Sequence, residues 1–174
     1  STIPGKGQCL TATTVFSLTK VLKDIMPNHL VAYGGEIDRY LPKEFRGNMD
    51  RQSRSLVVRK LEMLPVECVV RGYLAGSGLK DYLKSGYLCG HKLAPVLYDG
   101  CKLPEPIFTP STKATEGHDV NITAEFVKAK YGPQPEELSL ALYKRAAEYA
   151  YQRGIIIADT KFEMSTDFVL ADEV

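Results

Sequence analysis

Three charged residues interrupt an apolar run near the end of the chain. If Ile155–Glu163 is a strand, Ile155, Ile157, Asp159, Lys161 and Glu163 share one face, while Ile156, Ala158, Thr160 and Phe162 share the other, core-like face. Asp159, Lys161 and Glu163 could be a solvated, self-neutralising strand end. They could equally be a cleft wall, with carboxylates for a metal and Lys161 for an anion. A final strand, Phe168–Val174, carries Asp172 and Glu173 on opposite faces. A hairpin through Met164–Asp167 would bring Asp172 opposite or diagonal to Lys161 and Glu163. Two carboxylates on adjacent strands suit Mg²⁺, which takes one or two carboxylates plus nucleotide phosphates and water.

The same alternation in Val66–Arg71 places Glu67, Val69 and Arg71 together, opposite Val66, Cys68 and Val70. Gly72 follows at once, and Gly76-Ser77-Gly78 lies close behind. Glycines admit an anion to backbone N–H groups, and a helix start would add its dipole. Arg71 with Ser77 therefore suits a phosphate or carboxylate. An arginine paired with Glu67 ahead of a plain turn explains the segment equally well. The stretch from Pro104 to Asn121 contains Thr109, Ser111, Thr112, Lys113, His118, Asp119 and Asn121. A lone His-Asp pair in a loop is more often a turn or cap, and no nucleophile elbow accompanies it. Gly5-Lys6-Gly7 lacks Walker spacing and reads as a turn.

These residues need elements to position them. Apolar spacing predicts a helix over residues 11–26, ended by Pro27. Residues 39–54 read as an exposed connection. Leu56–Leu61 and Val66–Leu74 are β-branched strands, followed by a turn at Ala75–Gly78 and a helix through Leu79–Lys84. Residues 86–122 show no periodicity. Glu136–Arg153 is the clearest helix, closed by Gly154. The class is α+β with mostly antiparallel strands.

Composition limits the alternatives. The 174 residues carry 22 basic and 21 acidic side chains, a net charge of +1, so no global field draws the protein to nucleic acid or a membrane. No apolar run is long enough for a membrane span. The four cysteines show no CxxC spacing, which argues against zinc. No secretory signal precedes them, so reduced thiols and a cytoplasmic location are expected.

The strings IPGKG (3–7), LVVRKLEMLPVECVVRGYLAGSG (56–78), KLPEPIFTPSTKA (102–114), GHDVN (117–121), GIIIADTKFE (154–163) and LADEV (170–174) together resemble the SAICAR synthetase family. The resemblance runs from near Ile3 to Val174. It implies a two-lobed fold, kinase-like or ATP-grasp-like, with ATP held between the lobes. It also implies an ATP-dependent ligation of purine biosynthesis. There the carboxylate of CAIR, an imidazole ribonucleotide, joins the amine of L-aspartate, giving SAICAR, ADP and phosphate. A carboxylate is a poor electrophile, so ATP would activate it as an acyl phosphate before the amine attacks.

By matched position, the resemblance assigns Lys161, Asp159 and Arg71 to catalysis. Lys60, Glu62 and Met63 form a hinge that reads adenine. Glu163 and Asp172 serve Mg²⁺ and the ATP phosphates, and Arg71, Gly76 and Ser77 hold the ribonucleotide. Thr112, Lys113, His118 and Asp119 line the substrate side. Residues 1–63 would be the remnant of an N-terminal ATP-binding lobe, and 64–174 the substrate- and ATP-binding lobe. The family's glycine-rich strand–loop–strand unit does not precede Ser1, and its C-terminal helices do not follow Val174, so the expectation is a chain truncated at both ends with an incomplete N-terminal lobe. Met164-Ser165 stands where the family usually has Phe-Gly. Two other readings follow from the same residues: a kinase-like phosphotransferase, which lacks its HRD and DFG signatures, and a non-catalytic nucleotide-binding fragment.

Overall fold

The computed structural model describes residues 3–113 and 120–174. In chain order its elements are α1 (Lys6–Phe16), β1 (Leu30–Tyr33), α2 (Met49–Ser53), β2 (Leu56–Val58), β3 (Val66–Leu74), α3 (Gly76–Ser85), β4 (Tyr87–Leu88) and β5 (His91–Lys92). They continue with β6 (Cys101–Phe108), β7 (Ser111–Thr112), α4 (Ala124–Tyr131), α5 (Gln134–Tyr151), β8 (Asp159–Met164) and β9 (Leu170–Ala171). The main sheet runs β6-β3-β8-β9, with β7 also paired to β3, and every named pairing is antiparallel. The expected α+β class is what forms.

β3 organises the molecule because its two faces differ chemically. Val66, Cys68 and Val70 point into the core and are almost fully buried. Phe162 and Met164 of β8, Phe108 of β6, and Leu142 and Tyr143 of α5 close over them. Burying side chains of this size contributes about 1.5–3 kcal/mol each. The core also takes in Leu18, Val21, Leu22 and Met26, so it joins residues on both sides of position 63. No helix among the described residues is long and apolar enough to cross a membrane.

Several elements differ from the sequence expectation. The first helix starts at Lys6 and passes into a π-turn over Ser17–Val21. Its β-branched threonines hide the pattern, yet Thr13 and Thr19 donate their hydroxyls to Cys9 O and Val15 O one turn back. Residues 39–54 hold short helical turns and α2 rather than a bare connection. The stretch 86–122 contains β6, whose Pro104 and Pro106 argue against a strand. They are tolerated because β6 lies at the sheet edge and its pairing with β3 shifts between Arg71 and Tyr73.

The strand expected from Ile155 begins only at Asp159. Ile155 N donates to Ala150 O at the end of α5, while Gly72 N and Tyr73 N both donate to Ala158 O, so no ladder reaches further back. Ile155 and Ile156 are therefore 59% and 61% exposed rather than part of a buried strand.

Candidate active site

The polar face of β3 meets the polar face of β8. Val69 lies opposite Lys161 and Arg71 opposite Asp159. Alternation then puts Glu67, Val69 and Arg71 on the same side as Asp159 and Lys161, away from the core. A cavity of about 650 Å³ opens against this wall. The start of α3, through Gly76, Ser77 and Asp81, forms one flank, and Ser111, Val120 and Asn121 form another. Ser77 and Asp81 share a helix face because they are four residues apart.

Arg71 is the most enclosed cation, with its side chain 10% exposed. Its Nη1 donates to Asp159 Oδ2 at 2.8 Å and its Nη2 to Ser77 Oγ at 3.2 Å. Nε is buried without a hydrogen-bond partner among the described residues. A Cβ at Gly78 would stand 3.1 Å from that Nε and 3.2 Å from Cδ. The glycine thus lets α3 lie directly on the arginine. Gly76 opens the helix at φ +57°, a conformation that favours glycine. The arginine is paired across the sheet with Asp159, not along its own strand with Glu67.

Glu67 serves the other cation. Lys161 Nζ donates to Glu67 Oε1 at 2.7 Å, and Ser111 Oγ donates to Glu67 Oε2 at 3.3 Å. The Glu67 hydrogen bond holds the Lys161 ammonium above the usual lysine range, with the charges of Glu163 and Asp172 acting in the same direction. Asp81 accepts from Asn121 Nδ2 at 2.5 Å and from Lys84 at 3.2 Å. The cavity wall therefore carries three carboxylates (Glu67, Asp81, Asp159) against two cations (Arg71, Lys161), a local balance of −1 among the described residues. Such a pocket is no simple anion trap. It suits a ligand that presents both donors and acceptors.

The other expected site residues are placed as follows. Glu163 is 9% exposed and is held by the Lys113 ammonium outside the cavity lining. Ala171 lies opposite Glu163, and Asp172 then turns out of the strand at φ +62°. Strand alternation thus stops determining where its carboxylate points. Burial lowers the pKa of His29, and the Asp172 charge opposes that shift. Among the described residues no three His, Cys, Asp or Glu side chains converge as a metal site.

Lys60, Glu62 and Met63 lie between β2 and β3 and do not line the cavity. Glu62 O accepts from Thr166 N at 2.9 Å, and Met63 is bridged to Ser165. Thr112 exchanges hydrogen bonds with Val120, joining the two ends of the 113–119 segment. His118 and Asp119 lie outside the described residues. Glu67, Asp81 and Asn121 are cavity residues that sequence reasoning did not assign. Strand alternation was the available signal for Glu67, and the spacing from Ser77 was the signal for Asp81.

An antiparallel sheet wall of paired charges, with a helix start beside it, defines an α+β protein with a mixed-charge cavity. The sequence model of the SAICAR synthetase family matches residues 1–174, so the chain belongs to the SAICAR synthetase family. It is 48% identical to the phosphoribosylaminoimidazole-succinocarboxamide synthase of Thermodesulfovibrio yellowstonii, over 99% of this chain and 60% of that protein. It is 50% identical to the corresponding synthase of Saccharopolyspora erythraea, over 99% of this chain and 58% of that protein. The SAICAR synthase of Saccharomyces cerevisiae, solved in complex with SAICAR, superposes with a TM-score of 0.87 at 37% identity, covering all of this chain and 61% of that one. A SAICAR synthetase in complex with ADP superposes with a TM-score of 0.74 at 28% identity, covering all of this chain and 66% of that one. The chain thus spans about 60% of the length of the curated relatives it matches.

Proposed function

We propose that this chain carries the substrate pocket of an ATP-dependent ligase that joins the carboxylate of CAIR to the amine of L-aspartate. One observation carries the reading: in a SAICAR synthetase family chain, Arg71, Asp159 and Lys161 on the β3–β8 wall and Ser77 at the start of α3 line one cavity of about 650 Å³. A ribonucleotide with an amino-imidazole offers the donors and acceptors that this mixed wall requires. The yeast relative's bound SAICAR and the other relative's bound ADP support the same assignment.

In this reading a CAIR carboxylate oxygen attacks the γ-phosphorus of ATP, and ADP leaves with the electron pair of the broken P–O bond. The aspartate amine then attacks the activated acyl carbon, the nitrogen releases a proton to solvent, and phosphate departs with the C–O pair. Every reactant is anionic, so the protein acts by positioning and by charge stabilisation. Arg71 and Ser77 hold the ribonucleotide, with Gly76 leaving the helix start open. Lys161 contacts the transferred phosphoryl or the CAIR carboxylate. Asp159, 44% exposed at its side chain, orients the attacking amine. Thr112 and Lys113, with His118 and Asp119, serve the substrate side.

Glu163 and Asp172 fit Mg²⁺ as two hard oxygen donors, provided nucleotide phosphates and water complete the shell. Bound there, the ion offsets charge on the phosphates. Lys60, Glu62 and Met63 read adenine through backbone groups other than the engaged Glu62 carbonyl. Residues 1–63 belong to the N-terminal ATP-binding lobe and 64–174 to the substrate- and ATP-binding lobe, with the shared core making them one packing unit.

The test supplies the full-length protein with ATP, Mg²⁺, CAIR and L-aspartate. ADP release equal to aspartate incorporation is expected, and Lys161→Ala should cut turnover about 100-fold, a larger loss than the stability it gives up by unpairing Glu67. ADP formed without incorporated aspartate would point to a phosphotransferase. Failure to bind Mg²⁺-nucleotide saturably would leave only an inert module.

A further inference from the structure

We propose that Glu67 is a positioning residue, holding the Lys161 ammonium over the cavity and tying it to β7. The proposal rests on the ligase reading for the identity of the reaction but not for its geometry. Glu67 is the only carboxylate that β3 presents to the cavity, and its side chain is 9% exposed. Its oxygens divide their partners: Oε1 accepts from Lys161 Nζ at 2.7 Å and Oε2 from Ser111 Oγ at 3.3 Å. The ammonium keeps two further N–H donors for a ligand.

Lys161 needs an external hold. Its side chain is 48% exposed on a flexible four-carbon stem, which loses considerable rotamer freedom when fixed. A buried carboxylate is a poor means of stabilising a sheet, since desolvation offsets much of the ion-pair attraction. Its value here is directional. Ser111 pairs with Glu67 in the strand register as well as through its side chain, and it begins the short strand that leads to Thr112 and Lys113. One carboxylate thus links the lysine of β8 to the β7 segment beside the substrate cavity.

The test is a double-mutant cycle on the full-length protein, combined with NMR observation of the lysine side chains, Lys161 being assigned through Lys161→Arg. Glu67→Gln keeps the shape and an acceptor but removes the charge. It should lower kcat about 10- to 100-fold and loosen the Lys161 side chain, seen as increased mobility of its terminal methylene in NMR relaxation. Added to Lys161→Ala, it should cost nothing further, because both changes remove one interaction. Additive losses, or an unchanged Lys161 mobility, would overturn the proposal and leave Glu67 as a structural acid of the sheet. If Glu67→Gln does not fold, Glu67→Asp answers the same question through the same cycle. The mobility measurement needs no substrate, so it decides for or against Glu67 even if the protein fails to ligate CAIR and aspartate.

Discussion

Replacing Gly72 with alanine tests how the core behind the cavity is built. From its sequence position after Arg71, this glycine could serve anion approach. Its backbone N–H is instead taken by Ala158 O at 3.0 Å, and its missing side chain makes room for Tyr143. A Cβ at position 72 would stand 2.0 Å from Tyr143 Oη, 2.8 Å from Cζ and 3.1 Å from Cε1. Reaching ordinary contact at 3.4 Å requires the hydroxyl to move by about 1.4 Å. Tyr143 is 3% exposed and donates to Ile157 O at 2.7 Å, so it cannot swing away without losing that bond. Overpacking costs about 1–3 kcal/mol and the lost hydrogen bond about 1 kcal/mol, giving an expected destabilisation of about 2–4 kcal/mol for Gly72→Ala.

Tyr143→Phe alone should cost about 1 kcal/mol. In that background the alanine escapes the hydroxyl but still meets the ring, and its penalty should fall to about 1–2 kcal/mol. Urea unfolding followed by far-UV circular dichroism measures all four proteins, with the midpoint shifting and the slope unchanged. An alanine penalty equal in both backgrounds would refute the packing argument. So would a Gly72→Ala loss below about 0.5 kcal/mol.

Two further outcomes follow from the geometry. Arg71→Lys keeps the charge but cannot reach Asp159 and Ser77 together, so calorimetric titration should show ribonucleotide affinity reduced about 10- to 30-fold without loss of fold. Unchanged affinity would remove Arg71 from the phosphate-binding role. Burial pushes the Cys68 thiol from its ordinary 9.0 up to about 12. The folded state therefore keeps this proton longer than the unfolded chain does. Its contribution to stability is intact below pH 9 and lost as pH rises from 9 toward 12, at about 1.4 kcal/mol per pH unit. The stability gap between wild type and Cys68→Ala should narrow accordingly in urea melts across that range, whereas a constant gap would show that the thiol is solvated.

Much of the wall was legible before any fold was known. Period-two alternation placed Val66, Cys68 and Val70 inside and Glu67, Val69 and Arg71 outside, and β3 keeps that division. The long helix α5 was equally readable from its apolar stripe and its flanking prolines and glycine. The strand β6 was not, because Pro104 and Pro106 contradict strand propensity unless one knows that the strand lies at an edge. Residues 155–158 misled for a related reason. Three isoleucines look like a buried strand, but only the partners available in space determine where a ladder stops.

The sequence by itself determined which residue types could meet: a run of alternating charges, an arginine before a glycine-rich turn, and the strings that place the chain in its family. Pairing among those charges was a tertiary matter. Glu67 is four residues from Arg71 yet bonds Lys161, and Arg71 bonds Asp159, because β3 and β8 align Val69 with Lys161 and Arg71 with Asp159. Ion-pair and hydrogen-bond energies fall off over a few ångströms, so they depend on register across strands, which no local pattern records.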